Sequence, residues 1–390
     1  MPGYEVFGEE EQNAINELFK LNGGILFAHG FDALRNGIYR VREFESAVAK
    51  KFNIPYAQAV SSGSAALRVA LEALELSPGD EVILPSFTYI ATIEAVIQAG
   101  ATPVIVDIDD SFNMSPPALR AAINEKTCAI IPVHMMGAPA DMNEIVKIAQ
   151  EYKLRIIEDA AQAVGAKYLG RYLGTIGDLG CFSFDAGKCI MTGEGGMVVT
   201  SSKDFYNKTR SYHDHGHEYL PSVGRGIDRA VRDGFNYRLT ELQGAIGIVQ
   251  LSKLEMILSA QRGNKEKLMK VLRDGGFPFK FRRILDSGEL GDTLIFTMPD
   301  RATTKKFCTR MLDEKISTKN IPDSLRWHFA KHWNHIFEKY GWYAKSYEHQ
   351  WQLSADILET SIAIPIMVKM DDMFIEELGH KLIKIALELQ

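Results

Sequence analysis

The 390-residue sequence lacks several features that would place it in a particular class of protein. It has no run of 18 apolar residues, so we expect no transmembrane helix, and its polar, acidic start does not resemble a signal peptide. Lys and Arg (44) do not exceed Asp and Glu (50), which gives no reason to expect nucleic-acid binding. The four cysteines form no C-x-x-C pair, so we expect the reduced thiols of a cytoplasmic protein.

The residues that are present indicate a folded α/β protein. Hydrophobic residues make up 46% of the chain and charged residues 24%, as in ordinary globular proteins. Between about residues 41 and 200, helical patterns alternate with continuous apolar runs, which predicts a mostly parallel sheet covered on both faces. The predicted strands are residues 81–85, 103–107, 128–133, 154–158, 180–184 and 197–201.

The pattern changes near residue 250. A long charged helical stretch over residues 251–274 leads into shorter, mixed elements. We therefore expect a large domain over residues 1–250 and a smaller C-terminal domain over residues 251–390.

Four polar segments fall at predicted strand ends or helix starts, where ligands bind in doubly wound sheets. Alone, each also fits a structural role, either a helix cap or a solvated lysine in a turn. The segments are residues 61–67 (SSGSAAL), 158–162 (EDAAQ), 183–188 (SFDAGK, followed by GEGG at 193–196) and 234–243 (GFNYRLTELQ).

Together the segments supply what a pyridoxal phosphate (PLP) site needs. Hydroxyls and a glycine at a helix start suit a phosphate. A carboxylate that ends a buried strand, Asp159, can keep a pyridine nitrogen protonated, and a lysine, Lys188, can form a Schiff base. The combination predicts a PLP enzyme.

These segments also carry a family resemblance. Through SSGSAAL, PSFTYIAT, EDAAQA, GDLGCFSFDAGK, TGEGGMVVT and GFNYRLTELQ, nearly the whole chain resembles the DegT/DnrJ/EryC1/StrS aminotransferases. The resemblance implies PLP-dependent transferase fold type I, the aspartate aminotransferase-like fold, with a large, mostly parallel sheet domain and a smaller C-terminal α+β domain. It also implies transfer of an amino group from glutamate to a keto sugar.

The resemblance implies roles around the cofactor ring. Lys188 would hold PLP and move the proton, and Asp159 would pair with the ring nitrogen. Gln162 would bind the ring hydroxyl and Tyr89 would stack on the ring. One branch of the family has histidine in place of this lysine and performs dehydration, so Lys188 favours transamination.

The resemblance also implies roles around the phosphate. Gly63, Ser64 and Ser183 would hold the phosphate of their own subunit's cofactor. Asn236 would reach the phosphate in the neighbouring subunit, which implies a homodimer with shared active sites.

The sequence leaves two kinds of keto-sugar substrate as alternatives. Four local segments (MPGYEVFG, GFDALRNGIYRVREFE, SFD and HDHGHE) resemble the family members that aminate an 8-keto sugar acid to an 8-amino-3,8-dideoxy-octulosonate for lipopolysaccharide. Arginine forks bind carboxylates well, and Arg35, Arg40 and Arg42 cluster near the start, although solvated surface arginines fit the same pattern. The alternative is a nucleotide-linked keto sugar.

Three histidines are assigned to the substrate region. His134, in PVHMMG, and His215, in HDHGHE, match family histidines, and His328 is placed to line the substrate mouth. A packing role fits His134 and His328 equally well.

Two other classes compete. Residues 213–218 (HDHGHE) contain groups that bind zinc, but their spacing fits neither one helix face nor a complete site, and we expect no metal. The first class is a metal enzyme that uses this segment. The second class is a catalytically silent PLP-binding protein, and the intact Lys188 and Asp159 argue against it.

Overall fold

The computed structural model describes residues 2–220, 223–342 and 349–389. The strands there are β1 (Tyr56–Val60), β2 (Glu81–Pro85), β3 (Thr102–Val106), β4 (Thr127–Ile130), β5 (Arg155–Asp159), β6 (Lys167–Tyr168), β7 (Arg171–Tyr172), β8 (Leu179–Ser183), β9 (Gly196–Thr200), β10 (Lys280–Phe281), β11 (Thr293–Thr297) and β12 (Ser361–Pro365). The helices are α1 (Pro2–Glu5), α2 (Glu9–Leu21), α3 (Arg40–Phe52), α4 (Gly63–Ala73), α5 (Ala91–Gln98), α6 (Pro116–Ala122), α7 (Met142–Tyr152), α8 (Lys203–Tyr212), α9 (Glu241–Asp274), α10 (Arg301–Asp313), α11 (Leu325–His328), α12 (Asn334–Tyr340), α13 (Gln352–Glu359) and α14 (Asp372–Glu388).

Seven strands form the central sheet, in the order β1-β9-β8-β5-β4-β2-β3. Strand β9 runs antiparallel to both of its neighbours, and the remaining pairs are parallel. The predicted mostly parallel sheet is confirmed, and all six predicted strands are present. Because the parallel strands β2, β4, β5 and β8 point the same way, their carboxyl ends share one edge of the sheet.

Side chains of each strand alternate between two cores. In β2, Val82 and Leu84 pack with residues of α4 and α5, whereas Ile83 packs on the other face with residues of α3 and α9. Covered faces on both sides explain why the strands read as continuous apolar runs.

A second sheet, β10-β11-β12, is antiparallel and packs with α10 and α14 around Phe296 and Phe307. Helix α9 connects the two regions: Leu254 lies in a core of the central sheet and Leu268 in that of the second sheet. Residue 250, where we placed the domain boundary, lies inside this 34-residue helix.

The four cysteines are unpaired. Among the residues described here, no helix combines the length and the apolar character needed to cross a membrane.

Candidate active site

A cavity of about 530 Å³ lies at the shared edge, where β2, β5 and β8 end. Residues from several well-separated segments of the chain meet there, as expected for strand ends in an α/β sheet. The lining includes seven of the residues predicted to bind the cofactor: Gly63, Ser64, Tyr89, Asp159, Gln162, Ser183 and Lys188.

One end of the cavity suits an anion. Helix α4 begins at Gly63, after Ser62, whose hydroxyl accepts the Ala65 N–H at 3.0 Å. A side chain at position 63 would place its Cβ 2.7 Å from the Ser183 Cβ, so glycine is needed for the helix start to approach Ser183. The free N–H groups and the positive end of the helix dipole, together with the Ser64 and Ser183 hydroxyls, match the needs of a phosphate.

The carboxylate of Asp159 is buried at the end of β5. Its Oδ1 accepts the Ala161 N–H at 3.1 Å, and its Oδ2 accepts the Thr92 hydroxyl at 2.9 Å. Burial raises the pKa of Asp159, whereas the bonds from Ala161 and Thr92 and the charge of Lys188 oppose that rise. A cationic partner, such as a protonated ring nitrogen, would stabilise this carboxylate.

Lys188 lies in the turn that follows β8. Its Nζ is 3.3 Å from an Asp185 carboxylate oxygen, and the Gly187 N–H fixes that carboxylate with a 2.6 Å hydrogen bond. Strand β9 returns close to α4 because Gly196 has no Cβ, which would lie 2.2 Å from the Ser62 carbonyl oxygen. The glycine run after the lysine therefore allows the backbone to pass close to the start of α4.

Tyr89, Gln162 and His328 occupy other parts of the wall. The Tyr89 ring is 46% exposed, and its centroid lies 5.3 Å from that of His328. The Gln162 Oε1 accepts the Met136 N–H at 3.0 Å, which leaves its amide NH2 for a ligand. His328 donates from Nδ1 to the Ser324 carbonyl at 2.9 Å, and burial together with Lys188 lowers its pKa.

The residues present fit PLP. The cofactor needs an anion cradle, a buried acid and a primary amine within one cavity. The helix start at Gly63, the Asp159 carboxylate and the Lys188 amine meet these needs.

Sequence reasoning missed several residues of the cavity. Lys319 forms an ion pair there with Asp292, and both come from the C-terminal part of the chain. No local motif marks them, because only the fold brings them to the cavity. The polar groups missed are Thr88, Thr92, Asp185, Glu194, Asp292, Lys319 and Asn320.

Arg35 and Arg40, which were predicted to bind substrate, have partners within the chain. The Arg35 side chain is fully buried, pairs with Glu241 at 2.9 Å and donates to the Phe27 and Ile38 carbonyls. Arg40 pairs with Glu43 at 2.6 Å. Neither arginine lines the cavity of its own chain, so the structure gives no support for a contact between either one and a substrate bound there.

Neither His134 nor His215 lines the cavity. His134 is fully buried: its Nδ1 accepts the Ala140 N–H at 3.1 Å, so its Nε2 donates to Glu158 at 2.9 Å. The packing alternative therefore describes His134. His215 is exposed on the loop after α8.

Asn236 is exposed and does not line the cavity of its own chain. Its predicted contact with a neighbouring subunit remains a prediction.

The HDHGHE segment does not gather into a metal site. His213 contacts the Arg210 carbonyl at 2.5 Å, and His217 contacts Asp228 at 2.7 Å. Within residues 2–220, 223–342 and 349–389, no group of three or more His, Cys, Asp or Glu side chains is arranged to hold a metal ion.

Comparison with known proteins agrees with this geometry. An aminotransferase from Psychrobacter cryohalolentis has the same fold, with a TM-score of 0.85, 26% identity and 98% of each chain covered. GDP-perosamine synthase of Escherichia coli O157:H7 is 43% identical over 57% of this chain and 60% of its own length. UDP-N-acetyl-3-dehydro-alpha-D-glucosamine 3-aminotransferase of Acidithiobacillus ferrooxidans is 46% identical over 53% and 54%. These alignments span little more than half of the curated relatives.

The fold and the cavity define the class: this is a fold type I protein of the PLP-dependent aminotransferase kind. Residues 31–382 match the profile of the DegT/DnrJ/EryC1/StrS aminotransferase family. The chain belongs to that family, and the predicted fold class and cofactor are confirmed at this level.

Proposed function

We propose that the protein is a PLP-dependent aminotransferase that moves an amino group from glutamate to a keto sugar. The observation that carries the proposal is the convergence of Lys188, Asp159 and the α4 helix start on one cavity. Family membership supports the same reaction type.

Each residue has a defined task in this reaction. PLP, when bound, supplies an electron sink for the negative charge left when a proton leaves the substrate carbon. Asp159 keeps the ring nitrogen protonated, and Lys188 takes up and returns the substrate proton at Nζ. Gly63 and Ser183 hold the phosphate and so fix the position of the reacting carbon.

For the acceptor, we favour a nucleotide-linked keto sugar. The relatives at 43% and 46% identity carry names that refer to GDP- and UDP-linked sugars. The argument for an 8-keto sugar acid used arginines, and the structure gives Arg35 and Arg40 partners within the chain. The sugar acid, with its place in lipopolysaccharide synthesis, is the second candidate because of the four local segments that suggest it.

Separated half-reactions test the proposal. Protein loaded with PLP should convert glutamate to about one equivalent of 2-oxoglutarate per site, with a matching loss of the cofactor's visible absorbance. After glutamate is removed, GDP- or UDP-linked keto sugars should restore that absorbance, whereas the 8-keto octulosonate should not. Restoration by the octulosonate alone would reverse the choice of acceptor. Absence of conversion with glutamate and with every other amino acid would contradict transamination.

We further propose that the working unit is a homodimer with shared sites. Exposed apolar side chains support it, because Phe27, Phe31, Ile227 and Phe235 lie on two loops close in the chain to α3 and to Asn236. Sedimentation should give a dimer, and a stable monomer with full activity would contradict the shared site.

A further inference from the structure

Two threonines lie behind the buried carboxylate of the cavity. Thr88 follows β2 and Thr92 lies in the first turn of α5, and neither is exposed. Their hydroxyl oxygens are 2.7 Å apart, and the Thr92 oxygen is 2.9 Å from the Asp159 Oδ2. The three groups form a short chain that ends at Asp159.

The direction of the chain follows from proton counting. An ionised carboxylate only accepts hydrogen bonds, so the single hydroxyl proton of Thr92 goes to Asp159. Thr92 must then accept from Thr88, whose other acceptor within the described part of the chain, the Tyr89 carbonyl, is farther away at 3.5 Å. A hydroxyl that itself accepts a hydrogen bond is a better donor, so Thr88 strengthens the bond to Asp159.

The surrounding backbone fixes this geometry. The Thr88 N–H donates to the His328 carbonyl at 2.9 Å, and the Asp159 N–H donates to the Pro132 carbonyl at 2.9 Å. Ala161 occupies the other carboxylate oxygen. The charged or titratable groups around Asp159 are Lys188, His134, Glu158 and Cys181. None of these four groups is a hydrogen-bond donor to the carboxylate in the part of the chain described here. Thr92 and Ala161 supply its hydrogen bonds, and they leave it lone pairs for a ligand.

We propose that Thr92, supported by Thr88, is a positioning residue that keeps Asp159 ionised and oriented towards the PLP ring nitrogen. The inference rests on the proposed function, since it assumes that Asp159 meets that nitrogen. It assigns Thr92 an effect on cofactor binding and on the ring proton.

The test uses the full-length protein with PLP labelled with 15N in the ring. Equilibrium dialysis gives the Kd for PLP, and the 15N chemical shift reports the protonated fraction of the ring nitrogen. Thr92→Val should weaken PLP binding roughly tenfold and lower the protonated fraction, because it removes a hydrogen bond to a charged group. Thr88→Val should shift both in the same direction by less, and Thr92→Ser should restore both.

Two controls separate this idea from its foundation. Thr209→Val removes a buried hydroxyl that donates to the Tyr206 carbonyl in α8, and it should change neither quantity. Asp159→Asn should weaken PLP binding and lower the protonated fraction, both by more than Thr92→Val does. If Asp159→Asn has its effect and the variants at 92 and 88 match wild type, the role of the threonines is wrong and the proposed function stands. If Asp159→Asn also matches wild type, the placement of the ring nitrogen itself is wrong.

Discussion

The two main groups of the site have different surroundings, and each suits its task. Asp159 is buried and held by two donors, so its carboxylate is fixed in place. Lys188 is 21% exposed and its amine contacts Asp185, so it is accessible from the cavity and has a carboxylate to return to. A reaction in which the lysine must repeatedly bind and release the cofactor needs a fixed acid and an accessible amine.

Replacing this amine should separate binding from chemistry. Lys188→Ala should lower turnover by several orders of magnitude, because no other primary amine of the motif can take its place. Borohydride reduction followed by mass spectrometry should attach PLP to wild type and not to the variant, although PLP should still bind non-covalently. Lys203→Ala, at an exposed lysine that begins α8, is the control and should behave as wild type. Wild-type turnover by the alanine variant would show that Lys188 is not the catalytic lysine.

The buried His213 should make the folded protein less stable at acidic pH. Its pKa is lowered from 6.5 to about 4, mainly by burial. Between these pH values, His213 is therefore mostly protonated in the unfolded chain and mostly neutral in the folded protein. The contribution of His213 to the free energy of unfolding should therefore be constant above pH 6.5 and fall as the pH decreases towards 4, by at most roughly 3 kcal/mol. Melting temperatures measured across that range should show a smaller slope for His213→Asn. An unchanged slope would contradict the assignment.

Residues within local motifs could be predicted from sequence, and residues with distant partners could not. Gly63, Asp159 and Lys188 each adjoin a strand or helix boundary that is visible in the sequence, so their meeting follows from the α/β pattern. The buried pairing of Arg35 could not be predicted because its partner, Glu241, is about two hundred positions away. A buried ion pair of this kind leaves no trace in local spacing.

At the scale of secondary structure, helix α9 depends on glycines where it crosses α3. A Cβ at Gly244 would lie 2.6 Å from the Val41 nitrogen, a backbone atom with little freedom to move. Gly244→Ala should therefore destabilise the protein by about 1–3 kcal/mol despite the better helix propensity of alanine. Gly263 lies in the same helix with nothing within 4 Å of its Cβ position, so Gly263→Ala should stabilise by up to about 1 kcal/mol. Thermal unfolding of both variants checks this, and shifts of the same sign would contradict it.

The elements that sequence reasoning missed contain atypical residues. Strand β1 (YAQAV) has a polar residue in its middle, Gln58, which is buried because it bonds to Glu45 and the Ala59 carbonyl. The apolar run that marked the other strands is therefore interrupted. The long helix begins at Glu241, at the helix start predicted within GFNYRLTELQ, and runs without a break into the helical stretch predicted over residues 251–274. Gly244 and Gly247 weaken the helical pattern between the two, and packing on α3 explains both glycines.

At the scale of the whole molecule, the C-terminal part of the chain contributes residues to a core of the central sheet and to the cavity. Trp333 and Phe337 from the C-terminal part pack in the same core as Leu84 of β2, and Lys319 and His328 line the cavity. The site therefore needs both halves of the chain, which explains why the early motifs alone define the cofactor chemistry and not the acceptor.

The proposed shared site makes a prediction that only two chains together can test. A Lys188→Ala chain and an Asn236→Ala chain should each form weakly active dimers. In a mixed dimer, one of the two sites receives its lysine from the Asn236→Ala chain and its asparagine from the Lys188→Ala chain, and is fully native. Equal mixing after dissociation should therefore recover about one quarter of wild-type activity, since about half of the dimers are mixed and each has one native site. Native mass spectrometry establishes that mixed dimers form. If they form without recovery of activity, Asn236 acts within its own chain, where it is exposed and outside the cavity lining.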